Sequence, residues 1–318
     1  AVPYTWNSSV KTWVDANYPA YSDPENFYKN VTSNSDEAKE FYSKLSAAIK
    51  GGTVSLTAKT ETVTGTPAYP VTEDKLSGSV TFAGCEMGTY LVLIENGYMV
   101  YMPSVINLTP EFNNDTKQWV LPESTAVTVK ATKPQITKTV TDGAKVKDNY
   151  STKDSIPFTI VADVPTYVTG SLSKNYKISD TLSNGLTLDK ATIKVVGQKG
   201  SATPVDLTET TDYTLTTTGN TAFDIDFKYE QIKNYDKVKV TYTANLAKAT
   251  TTNVGGAGNT NTATLTYSNN PYVVDSTQTQ ETSNKVFTYG AEITKTDKTT
   301  GSALAGAEFE LLSDDTQL

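Results

Sequence analysis

Between positions 133 and 288 the chain consists almost entirely of short runs that alternate apolar and polar residues, separated by turn residues at regular spacing. SIPFTIVADV, YKISDTL, ATIKVVG, AFDIDFKY, DKVKVTYTANL and NTATLTY are examples. In an extended chain a period of two sends successive side chains to opposite faces, so each run reads as a half-buried strand. Many such strands with turns between them predict a β-sandwich.

The same alternation puts three polar residues on apolar faces. In ITKTV, Ile136, Lys138 and Val140 share one face and Thr137 and Thr139 the other. In YKISDTL, Asp180 lies with Tyr176, Ile178 and Leu182. In NTNTATLTY, Asn261 lies with Ala263, Leu265 and Tyr267. An unpaired charge is costly to bury, so these groups should meet inside the domain or not be buried at all. Three readings fit the pattern. The strands that carry them are edges and the groups are solvated; or Lys138 and Asp180 form a buried ion pair beside a hydrogen-bonded Asn261; or the three react.

The reactive reading follows from desolvation, which lowers a lysine pKa and raises a carboxyl pKa by up to roughly 3–5 units. Lys138 is then a neutral amine and a nucleophile. A neutral Asp180 can polarise the Asn261 carboxamide and pass a proton to the leaving ammonia. The product is a Lys138–Asn261 amide, an intramolecular isopeptide bond.

Composition is compatible with that chemistry, which needs no cofactor. The chain has no histidine, which removes imidazole nucleophile activation, imidazole metal ligation and histidine pH switching. Cys85 is the only cysteine, so an intrachain disulfide or thiolate cluster cannot form, and a buried apolar role is expected for it. A formal charge of −8 argues against nucleic acid as a partner. No apolar run approaches the ~18 residues of a membrane span, and the chain reads as a trimmed, soluble segment. The oxygen-rich stretches lack calcium-loop spacing, so no metal is expected.

At 318 residues the length predicts about two domains and part of a third. Residues 1–132 read as a β-sandwich carrying one helix near 35–50. Asn34 and Glu37 form its cap pair, Ala38, Phe41, Tyr42, Leu45 and Ile49 its apolar face, and Gly51-Gly52 its stop. TVSLTAKT, SGSVTFAG, GTYLVLIENG, YMVYMPSVINL and TAVTVKAT read as its strands. A second β-sandwich occupies 133–288. A third unit opens at 289–318 with YGAEITKTD, where ITKT at 293–296 repeats the ITKT at 136–139.

In order, PQITKTVTD, SIPFTIVADVP, YKISDTLSNGLTL, KVTYTANL, GNTNTATLTYSNNP, VFTYGAEITKTD and LAGAEFELL resemble the backbone (major) pilins of Gram-positive sortase-assembled pili over about 133–318. The resemblance implies a mainly β chain of tandem immunoglobulin-like β-sandwiches, the first with a helical insertion. It places an A-type module of collagen-binding adhesins at 133–288 and the start of a B-type module at 289–318. Such modules carry a self-formed Lys–Asn isopeptide bond assisted by an Asp or Glu. Carried over, Lys138 is the amine, Asn261 the amide and Asp180 the assisting acid, while Lys295 is the bond lysine of the third module.

Pilins of this kind also donate a lysine to sortase near the first domain boundary. In AVTVKATKP the matching residue is Lys130, with Val127 and Val129 facing inward; Lys133 is its rival, and the YPKN signature is absent. The implied function is a pilus shaft subunit on a Gram-positive cell surface, joined head to tail to other pilin subunits by sortase. It is not an enzyme beyond its own bond formation, and no cofactor is implied. The alternative is a surface adhesin that binds host matrix or glycan.

Overall fold

The computed structural model describes residues 4–32, 35–61, 79–95, 97, 99–120, 125–129, 131–142, 145–146, 149–151, 154–246, 253–290, 293–303, 305–306 and 308. The architecture is mainly β, as the alternation predicts, with helices gathered at the N-terminal end.

The first unit is more helical than its sequence suggests. It contains α1 (Ser8–Asn17), α2 (Pro24–Asn30) and α3 (Asp36–Lys50), where one helix was expected. Asn7 caps α1 by accepting from Ser9 N–H, and Asp23 caps α2 by accepting from Glu25 N–H, with Pro24 in the first turn. On α3, Ala38, Phe41 and Leu45 are buried as the periodicity requires. Its cap is Ser35, which accepts from Ala38 N–H; Asn34 lies outside the described residues. Gly52, with φ +77°, takes the left-handed conformation just past the end. Val10, Val14, Phe27, Phe41, Leu45 and Val54 form a core with Trp6, Trp13 and Tyr18 packed around it.

Six short strands complete this unit: β1 (Gly88–Val92), β2 (Val100–Tyr101), β3 (Ser104–Leu108), β4 (Glu111–Asn113), β5 (Gln118–Val120) and β6 (Ala131–Thr132). They pair as β1 with β3, β2 with β6 and β4 with β5. Residues 53–60 and 125–129, both expected in strands, are in none, and Val127 is 38% exposed rather than inward. With no partner strand to satisfy their backbone, apolar alternation alone does not make them strands. Cys85 is half-buried, not fully buried, and its thiol donates to Phe82 O.

The second unit is the expected sandwich. Its elements are β7 (Ile136–Asp142), β8 (Lys145–Val146), β9 (Ser155–Asp163), β10 (Tyr176–Leu182), β11 (Leu186–Gln198), β12 (Val205–Asp206), β13 (Tyr213–Thr218), β14 (Ala222–Phe227), the short helix α4 (Tyr229–Ile232), β15 (Lys237–Leu246), β16 (Asn259–Tyr267) and β17 (Gln278–Val286). One sheet runs β13-β14-β10-β16-β17 and the other β12-β11-β15-β9-β7-β8. Burial alternates strictly along β9, β15 and β16, so Ile156, Phe158, Ile160, Val238, Val240, Ala263 and Leu265 close the space between the sheets. Each such side chain contributes about 1.5–3 kcal/mol relative to exposure.

The turn that follows β16 joins the two units. Ser268, Asn269 and Asn270 are buried there, Asn269 Nδ2 donates to Gly97 O at 2.6 Å, and Tyr272 Oη donates to Tyr101 O at 3.4 Å. Beyond β17, the second ITKT forms no strand. The described residues show only an isolated bridge between Thr296 and Ala303, and so short a pairing has no apolar face to bury.

Leu265→Ala in the whole chain should therefore cost about 2–5 kcal/mol, while Thr264→Ala on the opposite face of β16 should stay within about 0.5 kcal/mol. Urea titration of both variants checks this; equal losses would mean the register of β16 is misplaced.

Candidate functional site

The inward polar residues of the second unit converge from both sheets. Lys138 sits on β7 opposite Ile160 of β9, in the six-stranded sheet. Asp180 on β10 lies opposite Ala263 of β16, and Asn261 of β16 opposite Leu182, both in the five-stranded sheet. The side chains of Lys138 and Asp180 are wholly removed from solvent, and Asn261 is completely buried. The solvated-edge reading is thereby excluded.

Lys138 Nζ donates to Asp180 Oδ2 and, at 2.7 Å, to the hydroxyl of Tyr242. That hydroxyl donates to Asp180 Oδ1 at 2.7 Å and accepts from Asn261 Nδ2 at 2.7 Å. Tyr242 belongs to β15, opposite Phe158 of β9. The Phe158 and Tyr242 rings stack with centroids 5.4 Å apart, and Lys138 Nζ lies 5.1 Å and 5.2 Å from the two centroids. Phe223 meets Tyr242 edge-on at 5.1 Å. The ion pair is thus enclosed in aromatic carbon, where a charge is held by its partner and not by water.

Burial acts on both charges in the direction of neutrality. It pushes the Lys138 ammonium down to about 8 although Asp180 opposes the shift. Burial likewise raises the Asp180 carboxyl against the pull of Lys138. Desolvation also drives the Tyr242 phenol well above its ordinary value, so it stays protonated. The site therefore lowers the cost of moving a proton from Lys138 to Asp180.

Asn261 Oδ1 is buried and accepts no hydrogen bond. Asn284 of β17, opposite Asn261, has a buried Oδ1 in the same condition. An acceptor left bare in a dry core is an expensive arrangement.

The structure brings together Lys138, Asp180 and Asn261 and adds Tyr242, which the sequence reading missed. Its signal was present in KVTYTANL: Tyr242 shares the inward face with Val240 and Ala244, and a buried tyrosine hydroxyl needs a partner. Lys295 is exposed and stands outside any strand. Lys130 lies outside the described residues, and Lys133 is half-buried beside Thr132, Pro134, Asp163 and Val164. No group of three metal-ligating side chains occurs among the described residues, and no helix there is long and apolar enough to cross a membrane.

Residues 152–271 match the family model described as Gram-positive pilin backbone subunit 2, Cna-B-like domain. The chain thus carries a Gram-positive pilin backbone domain over that stretch. The description names a B-type relative where the motif resemblance places an A-type module; the two agree on a pilin backbone module and differ in subtype. The T6 backbone pilin of serotype M6 Streptococcus pyogenes superposes with a TM-score of 0.65 at 21% identity, over 84% of this chain and 57% of that one. This supports a shared fold, and the chain spans little more than half that pilin's length. The major pilin SpaD from Corynebacterium diphtheriae gives 0.43 at 22% identity, over 69% of this chain and 50% of that one. BcpA, the major pilin subunit of Bacillus cereus, gives 0.44 at 16% identity, over 64% and 55%. Both scores are too low to support an argument. No curated protein matches the chain in sequence.

The geometry makes a stability prediction that does not depend on any reaction. Asp180→Leu leaves the Lys138 charge buried without its counter-ion, whereas Lys138→Met combined with Asp180→Leu leaves no charge. The double variant should be more stable than the single one by about 3–5 kcal/mol in urea titration. Equal stability would mean the two groups do not share one buried site.

Proposed function

We propose that this chain is part of the shaft subunit of a covalently polymerised Gram-positive pilus, and that Lys138 and Asn261 join in an isopeptide bond assisted by Asp180. The observation that carries the proposal is the burial of an amine, an acid and a carboxamide together in a pilin backbone domain. An ion pair alone accounts for two of them. It does not account for a buried carboxamide with a bare oxygen on the far side of the same hydroxyl.

The bond would work mechanically. Lys138 lies on the first strand of the domain and Asn261 on the penultimate one, in opposite sheets. A covalent tie between them stitches the sandwich across its core and removes the stretch between them from the path of tension. In the loop-entropy model, closing about 120 residues contributes roughly 4–5 kcal/mol. Polymerisation through repeated head-to-tail contacts that do not close gives a filament. In this reading the partners are other pilin subunits and a sortase, the site of action is the cell surface, and no cofactor takes part. Lys130 remains the proposed sortase acceptor with Lys133 as its rival, and Lys295 the proposed bond lysine of the third module. The adhesin alternative gains little from the first unit, because Trp6, Trp13, Phe27 and Phe41 pack against one another as core.

Two measurements check the reading. The intact mass should fall short of the sequence mass by one ammonia, and Lys138→Ala or Asn261→Ala should restore it. A full sequence mass in the unaltered chain would leave only the ion pair. Incubation with the cognate sortase should then give oligomers that Lys130→Ala abolishes and Lys133→Ala leaves intact; the reverse pattern would assign the acceptor to Lys133.

A further inference from the structure

The isopeptide reading, on which this inference rests, assigns proton transfer to Asp180 alone. The structure does not let Asp180 perform it directly, because no hydrogen bond joins Asp180 to Asn261. The Tyr242 hydroxyl stands between them, 2.7 Å from Asp180 Oδ1 and 2.7 Å from Asn261 Nδ2. It also lies 2.7 Å from Lys138 Nζ. One hydroxyl therefore touches the nitrogen that would attack, the nitrogen that would leave and the acid. Its three contacts use one donor and two acceptor sites, which is its full capacity.

We propose that Tyr242 is a catalytic residue of bond formation, relaying a proton from Asp180 to the departing Asn261 nitrogen. With its third proton on Asp180, Lys138 Nζ adds to Asn261 Cγ, and the carbonyl π pair moves onto Oδ1. When that pair returns, the Cγ–Nδ2 bond breaks and its electrons leave on Nδ2, which must gain a proton to depart as ammonia. Tyr242 supplies that proton and is reprotonated by Asp180. The resulting carboxylate takes the surplus proton from the new amide nitrogen. Tyr242 and Asp180 end as they began, one amide replaces another, and ammonia is the only product released.

A relay is required here because bulk water does not reach the site: the side chains of Lys138 and Asp180 have no solvent exposure. A phenol suits the task, since it gives up a proton to a developing amine more readily than a serine or threonine hydroxyl would, and it is reprotonated by an adjacent acid. Its position is rigid. The ring is held between Phe158, stacked on it, and Phe223, edge-on to it, so the hydroxyl cannot swing away from either nitrogen.

The test follows the loss of ammonia over time by intact mass in freshly synthesised full-length chain. Tyr242→Phe should slow the loss by about 10²- to 10⁴-fold, the range of positioned acid–base groups. Phe158→Leu, which removes the neighbouring ring but keeps the hydroxyl, should still complete the bond. Tyr242→Phe reacting at the unaltered rate, or Phe158→Leu slowed equally, would overturn the relay. Should Tyr242→Phe fail to fold, 3,5-difluorotyrosine at position 242 keeps the shape and changes the acidity. A rate shifted by that analogue supports the relay, and an unchanged rate overturns it. If the unaltered chain never loses ammonia, the isopeptide reading itself fails. If it does and only the Tyr242 effect is missing, the relay alone fails.

Discussion

A buried lysine cannot remain charged in a sandwich of aromatic and aliphatic side chains unless an opposite charge and further hydrogen bonds surround it. That constraint organises the second unit. Lys138 requires Asp180, and the pair requires Tyr242 to satisfy the remaining carboxylate oxygen. These demands are met from different strands: β7 and β15 in one sheet, β10 and β16 in the other. The two sheets must therefore pack in one register for the polar cluster to close, and a slip of one residue in any of the four strands would bury an unpaired group. The cluster stabilises little on its own, but it strongly restricts which packing is allowed.

The same constraint links structure to chemistry. Water would hold Lys138 charged and unreactive. Removing it draws amine and acid toward their neutral forms, and the aromatic rings that exclude it also fix the hydroxyl that bridges the two nitrogens. Stability and reactivity thus arise from one packing arrangement. In the proposed shaft, the strain of keeping polar groups in the core is relieved once, when the charged pair is replaced by a neutral amide.

Much of this was legible in the residues and some was not. Period-two bookkeeping placed Lys138, Asp180 and Asn261 on inward faces, and all three are buried. It put Tyr242 inward too, but a strand pattern records which face a residue takes and not which residues of other strands it meets. The role of Tyr242 depends on sheet order, and that is a long-range property. The helices at 8–17 and 24–30 escaped notice because each is short and polar at most positions, so their capping residues Asn7 and Asp23 were the better signals. The second ITKT carries the same letters as the first and no strand, since pairing depends on neighbours that the run itself does not encode. Lys138 is buried because β9 and the opposing sheet cover it, and among the described residues nothing comparable covers Lys295.

The central claim is a covalent link between two named side chains, and fragment-ion mass spectrometry of a protease digest tests it most directly. The account predicts a branched peptide in which the segment containing Lys138 is joined through its side chain to the segment containing Asn261, with fragment ions that place the branch on those two residues. Two linear peptides with Lys138 and Asn261 both unmodified would contradict it, and so would a branch that ends on Asn284.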